Sequence, residues 1–65
     1  MGKIRVVITF NNGMTEVHEV NPIVGYDYHG EYFVVHEVDG DITTDYPYCL
    51  RDIRTIEKGV VETIH

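Results

Sequence analysis

The chain has 65 residues, a formal net charge of −6 and a single cysteine. A chain this short has room for one domain, and the lone Cys49 excludes disulfide stapling within a monomer and fits a reducing compartment. No stretch approaches the roughly 20 apolar residues that a membrane helix needs. The sequence therefore predicts one soluble, cytoplasmic domain over residues 1–65.

The composition favours β structure. Ala, Ser, Gln and Trp are absent, whereas Val, Ile, Thr and Tyr are plentiful, and these residues suit a pleated, half-buried surface. Three glycines, Gly13, Gly30 and Gly40, follow Asn, His or Asp in short polar breaks between apolar runs, which is typical of hairpin turns. We therefore expect strands joined by tight turns.

The first predicted hairpin turns at Asn12-Gly13. A two-residue turn at this point places Ile8 opposite Val17 and Val7 opposite His18. One face of the hairpin then becomes apolar and is expected to be core. Its members are Ile4, Val6, Ile8, Phe10, Thr15 and Val17.

Two further two-residue turns are predicted at His29-Gly30 and Asp39-Gly40. They place Tyr26 opposite Phe33, and Phe33 opposite Tyr46, in a three-stranded meander. The predicted core face comprises Val24, Tyr26, Tyr28, Phe33, Val35, Ile42, Tyr46 and Tyr48. The opposite, mixed face comprises Asp27, Tyr32, Val34, His36, Val38, Thr43 and Asp45.

The tetrapeptide VHEV occurs twice, at residues 17–20 and 35–38. Neighbouring strand residues point to opposite sides, so the His and Glu of one copy cannot serve one site on one face. The zinc motif HExxH is also absent. The repeat is interpreted as a strand pattern in which His18 and His36 face solvent while Val17 and Val35 are buried.

The end of the chain supports two interpretations. Leu50, Ile53, Ile56, Val60, Val61 and Ile64 recur at helical spacing, but Gly59 interrupts the run. The favoured alternative is a tight turn at 50–53 and a hairpin that joins residues 54–57 to 60–63 through Lys58-Gly59. The predicted fold is all-β or mainly β: a small, strongly bent antiparallel sheet or partly open barrel of five to six strands, with a helical C-terminal segment as the alternative.

Two segments, VITFNNG at residues 7–13 and YCLRDIRTIE at residues 48–57, resemble the first hairpin and closing strand of small uncharacterised β proteins of phages and prophages of Gram-positive bacteria. The resemblance spans most of the chain through turn and alternation patterns. It implies a compact binding protein that blocks a host or defence factor. It assigns no binding residue.

Charge is unevenly distributed along the chain. Between Val6 and Leu50 there is no Lys or Arg, while eight carboxylates fall there. Such a surface repels phosphate backbones and attracts basic surfaces. The sequence therefore predicts a non-enzymatic module, without cofactor or metal, that binds a basic protein partner and neither nucleic acid nor membrane. The predicted partner-binding residues are Asp27, Tyr32, Val34, His36, Thr43 and Asp45.

Three alternatives stay open at this point. Carboxylates spaced along a ridge could mimic a nucleic acid and block a DNA-binding protein. His36 with Asp27, Asp41 and Asp45 could form a metal site, a ligand site or an active centre, although a Ser nucleophile is absent and Cys49 is expected to be an inert apolar residue. The acidity could also serve solubility alone. Homodimerisation is expected to cover Val34 and Val38.

Overall fold

A computed structural model describes residues 2–61 of the chain. Within them the chain forms six strands and one 3-10 turn at Leu50–Asp52. The strands are β1 (Ile4–Phe10), β2 (Thr15–Val20), β3 (Tyr26–His29), β4 (Tyr32–Asp39), β5 (Ile42–Cys49) and β6 (Ile53–Val60). The predicted mainly-β, antiparallel class is confirmed.

The strands form two antiparallel sheets of three strands each, in the orders β2-β1-β6 and β3-β4-β5. We call these the first and second sheet. Each has a central strand that pairs on both sides, β1 in the first sheet and β4 in the second. The second sheet is a simple meander. In the first sheet, β6, the last strand of the described residues, pairs with β1.

The core lies between the two sheets. Val6, Ile8 and Val20 of the first sheet meet Phe33 and Val35 of the second, and all five are at most 2% exposed. Partly buried side chains surround them: Ile4, Phe10, Tyr26, Tyr46, Tyr48, Leu50, Ile53 and Ile56. Burial of these apolar side chains holds the sheets together, at about 1.5–3 kcal/mol for each fully buried aliphatic or aromatic group.

The first hairpin differs from its prediction by one residue. Val7 pairs with Val17, and Val6 pairs with His18, because the connection is a three-residue loop at 11–13 closed by a hydrogen bond from the Gly13 amide to the Phe10 carbonyl (2.9 Å). Gly13 has φ 90°, as expected at the left-handed position of such loops. This shift of one residue exchanges the inner and outer faces of β2. The expected exposure of His18 and burial of Val17 were therefore wrong: Val17 is 55% exposed and His18 only 6%.

The turns of the meander are also displaced, but its faces are as predicted. Tyr28, rather than Tyr26, pairs with Phe33, and Tyr48, rather than Tyr46, pairs with it on the other side. Both displacements move a partner by two residues, which preserves the side that each residue faces. Val35 is therefore buried and His36 lies on the outer face. Three residues expected in the core are exposed: Val24 (65%) in the loop before β3, Tyr28 (54%) in β3 and Ile42 (68%) at the start of β5.

The predicted last hairpin at Lys58-Gly59 was wrong. Residues 53–60 form one continuous strand that pairs along β1, with Gly59 opposite Arg5. The helical alternative is also absent from the described residues, where the only helical turn is the 3-10 turn at Leu50–Asp52, at the site of the predicted tight turn. The proposed second half of that hairpin, beyond Val61, lies outside the described residues.

Candidate functional site

The outer face of the second sheet collects all six residues predicted to bind a partner. Strand pairing places Asp27 beside Val34, His36 beside Asp45 and Val38 beside Thr43. Tyr32 lies on the same face at the start of β4, opposite Cys49. We call this surface the acidic face and define it by its members: Asp27, Tyr32, Val34, His36, Val38, Thr43, Asp45 and Pro47.

The acidic face combines exposed apolar groups with carboxylates. Tyr32 is 49% exposed and Val38 58%, and between them Val34 and His36 are partly covered. No Lys or Arg occurs in residues 26–49, so no strand of the second sheet contributes a cation to it. Apolar groups on a sheet face with an anionic border form a surface suited to a basic protein partner.

The two carboxylates of the acidic face differ in their pairing. The Asp45 carboxylate lies 2.6 Å from Nδ1 of His36, directly across the strand pair. Asp27 is exposed at the neighbouring edge strand, opposite the apolar Val34. Its charge is therefore more available to an incoming partner than that of Asp45.

An open groove of about 470 Å³ adjoins the acidic face where β3 stops short of β4. It runs between residues 36–39 of β4 and the end of β2 with the loop that follows. Val20, Val24 and Val38 supply apolar lining. The polar lining includes Glu19, Glu37, Asp39, His36 and Lys3.

The groove does bring His36 close to carboxylates, as a metal site would require, but His36 and two of the carboxylates, Glu19 and Glu37, are engaged elsewhere. His36 pairs with Asp45, Glu37 with His18, and Glu19 with Arg5 at 3.5 Å. Among residues 2–61 no group of three or more His, Cys, Asp or Glu is arranged to hold a metal ion. The groove is better suited to a long basic side chain, whose aliphatic stem can lie on the valines while its charged end reaches the carboxylates.

His18, which the sequence interpretation placed in solvent, is the only buried polar side chain among residues 2–61. Nδ1 of His18 is hydrogen-bonded to Glu37 of β4, and its Nε2 lies 2.7 Å from the hydroxyl of Tyr48 on β5. That hydroxyl donates to Glu16 at 3.3 Å. We call these four residues, Glu37, His18, Tyr48 and Glu16, the His18 chain. A sequence signal existed, since Asn-Asn-Gly as a three-residue loop would have turned His18 inward.

The His18 chain places carboxylate, imidazole and hydroxyl in the order of a nucleophilic triad. A nucleophile, however, needs an environment that favours loss of its proton. Burial, then the charge of Glu16 and its hydrogen bond, then Glu37 raise the pKa of Tyr48 to about 12. The hydroxyl stays protonated at neutral pH, and the imidazole is shielded from solvent. We interpret the chain as a structural link between the sheets.

The remaining sequence candidates are dispersed. Cys49 is partly buried at the end of β5, and Asp41 is exposed in the turn before β5. No helix of the described residues has the length and apolar character needed to cross a bilayer. Comparison of the chain with protein-family models, with curated proteins and with solved structures found no match.

Proposed function

We propose that this protein is a non-enzymatic binding module that docks the basic surface of a protein partner on its acidic face. The observation that carries the proposal is that the exposed apolar side chains of the acidic face lie on the second sheet, whereas the cationic strand residues lie on the first. The second sheet bears Tyr32, Val34 and Val38 on its outer side and no cation in residues 26–49. The cationic strand residues Arg5, Arg54 and Lys58 all belong to the first sheet.

The groove beside the acidic face extends the proposed surface. In the complex that we propose, an Arg or Lys of the partner enters between Val24 and Val38 and ends near Asp39. Tyr32, at the other end of β4, contributes the apolar anchor, because aromatic groups that become fully desolvated dominate the energies of most interfaces. The carboxylates mainly steer the encounter.

The partner that we propose is a host or defence protein, in keeping with the resemblance to phage and prophage β proteins. The encounter takes place in the cytoplasm, a compartment suited to the unpaired thiol of Cys49. The partner's basic surface is the chemistry that the acidic face recognises. Phosphate backbones are disfavoured as ligands because they carry the same sign of charge.

A first experiment titrates the 15N-labelled protein with a hexa-arginine peptide and follows amide shifts by NMR. We expect shifts at Asp27, His36 and Asp39 that disappear as salt is raised, because the Debye length falls from about 10 Å at 0.1 M to about 3 Å at 1 M. Shifts spread equally over the outer side of the first sheet, around Val17 and Glu57, would refute a localised acidic site.

A second experiment measures association kinetics with the partner captured from a host lysate at low salt. Asp27→Asn should slow association more than it speeds dissociation, whereas Tyr32→Ala should mainly speed dissociation. Glu57→Gln and Val17→Ala on the outer side of the other sheet are matched controls of charge and of exposed apolar area. Equal effects of the controls would contradict the assignment of the face, and unchanged kinetics in all four variants would indicate that the acidity serves solubility alone.

A further inference from the structure

The second sheet leaves part of its central strand without a neighbour on one side. β3 pairs with β4 only as far as Val35, and one further hydrogen bond runs from the His36 amide to the Gly25 carbonyl (2.8 Å). β4 itself continues to Asp39. Residues 37–39 therefore have β5 on one side and no strand of the second sheet on the other. We call this side of residues 37–39 the open edge of β4.

The main-chain amide and carbonyl of Val38 point into the open edge. Along a strand, successive residues direct these groups to opposite sides. The His36 amide points toward β3, so Val38, two residues further on, points the same way, and the bonds to β5 are made by its neighbours. Among residues 2–61 the amide and carbonyl of Val38 have no main-chain partner. Since the residue is 58% exposed, a donor and an acceptor are accessible here.

The loop before β3 does not fill the open edge. The Gly25 amide donates to the Asn21 carbonyl at 2.9 Å. The Asn21 side chain accepts from the amides of Ile23 and Val24 at 2.8 and 3.1 Å. These bonds hold the loop in a turn that satisfies its own amides, so the chain leaves β4 at Gly25. The space that a longer β3 would occupy belongs to the groove of about 470 Å³.

We propose that the open edge of β4 binds an extended segment of the protein partner as an added antiparallel strand. In this arrangement one partner residue exchanges both hydrogen bonds with Val38. Complexes formed by strand addition derive affinity from such main-chain bonds and specificity from alternate side chains. The inference rests on the proposed function, because it specifies how a basic partner enters the groove beside the acidic face.

The side chains along the open edge define the partner sequence. Residues directly opposite each other in an antiparallel pair lie on the same side of the sheet. The partner residue opposite Val38 therefore lies on the outer side, where an apolar group extends the row of Val34 and Val38. The preceding partner residue lies opposite Asp39, which has no ion pair among residues 2–61, whereas Glu37 is paired with His18. We expect Arg or Lys opposite Asp39, so the recognised sequence is a basic residue followed by an apolar one.

NMR titration with the acetylated and amidated tetrapeptide Thr-Arg-Val-Thr tests the proposal, with two N-methylated versions of the peptide. In the proposed register the amide of the peptide Val points toward β4, whereas the amide of its Arg points away. N-methylation of the Val should raise Kd by roughly tenfold, as expected for loss of a main-chain hydrogen bond. N-methylation of the Arg adds the same methyl group, keeps the charge and should leave Kd nearly unchanged.

The outcomes separate strand addition from the proposed function. Equal Kd values for the two N-methylated peptides would overturn strand addition and leave binding of a basic partner through side chains intact. Failure of all three peptides to bind would also overturn it, whereas the hexa-arginine titration judges the acidic face independently. In the unbound protein the Val38 amide should exchange with solvent faster than the His36 amide. Equal protection of the two amides would contradict the open edge.

Variants of the protein test the same edge. Val38→Pro removes the amide proton, and proline is tolerated in strands where the amide has no ladder partner. We expect this variant to lose binding of Thr-Arg-Val-Thr and Val38→Thr to retain it; equal binding by both would contradict the proposal. Asp39→Asn should raise Kd several-fold, whereas Asp41→Asn, which removes an equal charge in the adjacent turn, should have little effect. If Val38→Pro does not fold, the N-methylated peptides and the Asp39→Asn comparison decide the matter.

Discussion

Gly25→Ala should be among the most damaging small substitutions in this chain. Gly25 is buried at the end of the loop that carries the chain from the first sheet to the second. A Cβ at this position would lie 2.5 Å from Cβ of Val20 and closer still to the backbone oxygen of Asn21. Neither obstacle is the free end of a flexible side chain, so the backbone itself would have to move.

The cost can be assembled from the contacts that such a movement would disturb. Asn21 cannot retreat without weakening its 2.9 Å hydrogen bond from the Gly25 amide, and the Gly25 carbonyl accepts at 2.8 Å from the amide of His36. Overpacking costs about 1–3 kcal/mol, and one weakened hydrogen bond adds about 1 kcal/mol. We expect a loss of about 2–4 kcal/mol, or a fall in Tm of roughly 10–30 °C for a domain of this size.

Thermal and urea unfolding followed by circular dichroism measure this loss, with Gly59→Ala as the matched control. A Cβ at Gly59 meets no atom within 4 Å, and Gly is an unfavourable residue inside a strand. The control should therefore be within about 0.5 kcal/mol of the unmodified protein or slightly more stable. A Gly25→Ala variant as stable as the control would refute the close approach of the loop to β2.

Three further outcomes are expected. Val35→Ala should lower the free energy of unfolding by about 1–3 kcal/mol and Val17→Ala by no more than about 0.5 kcal/mol; chemical denaturation of both variants checks the register of β2, and a reversed order would contradict it. In a spectrophotometric tyrosine titration, one group should ionise near pH 12, above the ordinary pKa of about 10, and Tyr48→Phe should remove that late step. The raised pKa of Tyr48 belongs to the folded state. It therefore contributes stability that is complete below about pH 10 and is lost as pH rises toward about 12. Self-association through Val34 and Val38 remains a prediction, and a monomer at all concentrations in sedimentation experiments would contradict it.

The sequence predicted the faces of the strands correctly where the predicted pairing was displaced by an even number of residues. The turns around Gly30 and Gly40 begin at the glycine, whose φ values are 58° and 62°, rather than one residue before it. This moves each pairing by two residues and leaves every side chain on its predicted face. Alternation along β4 was therefore sufficient to identify Phe33 and Val35 as core and to place the acidic face on the outer side of the second sheet.

At Asn11-Asn12-Gly13 the predicted pairing was displaced by one residue, which exchanged the inner and outer faces of β2. A loop of three residues instead of two reversed β2, and alternation could not detect the mistake because either face of the sequence TEVHEV carries one valine and two polar residues. Burial of His18 depends on partners that lie 19 and 30 residues away in the chain. Local patterns carry no information about such partners, so the His18 chain could not be predicted from them.

The end of the chain was misinterpreted for a related reason. Lys58-Gly59 has the composition of a turn, but β1 has a free edge along which β6 pairs. The pairing runs from Ile4 opposite Val60 to Phe10 opposite Ile53, with one register shift between Thr9 and Phe10. Pairing a whole strand outweighs a weak local turn preference. Local composition therefore predicted the existence of strand structure after Asp52 but not its partner.

The central position of β1 also constrains when the protein can fold during its synthesis. β3, β4 and β5 are joined by short turns, so the second sheet can assemble as soon as residue 49 has left the ribosome. The first sheet must wait for Ile53–Val60, which follow β1 by more than forty residues, and pairing across so long a separation is slow. Until then Val6 and Ile8 belong to a nascent strand with one free edge. β1, which is translated before the other five strands of the described residues, is therefore among the last to have both neighbours in place.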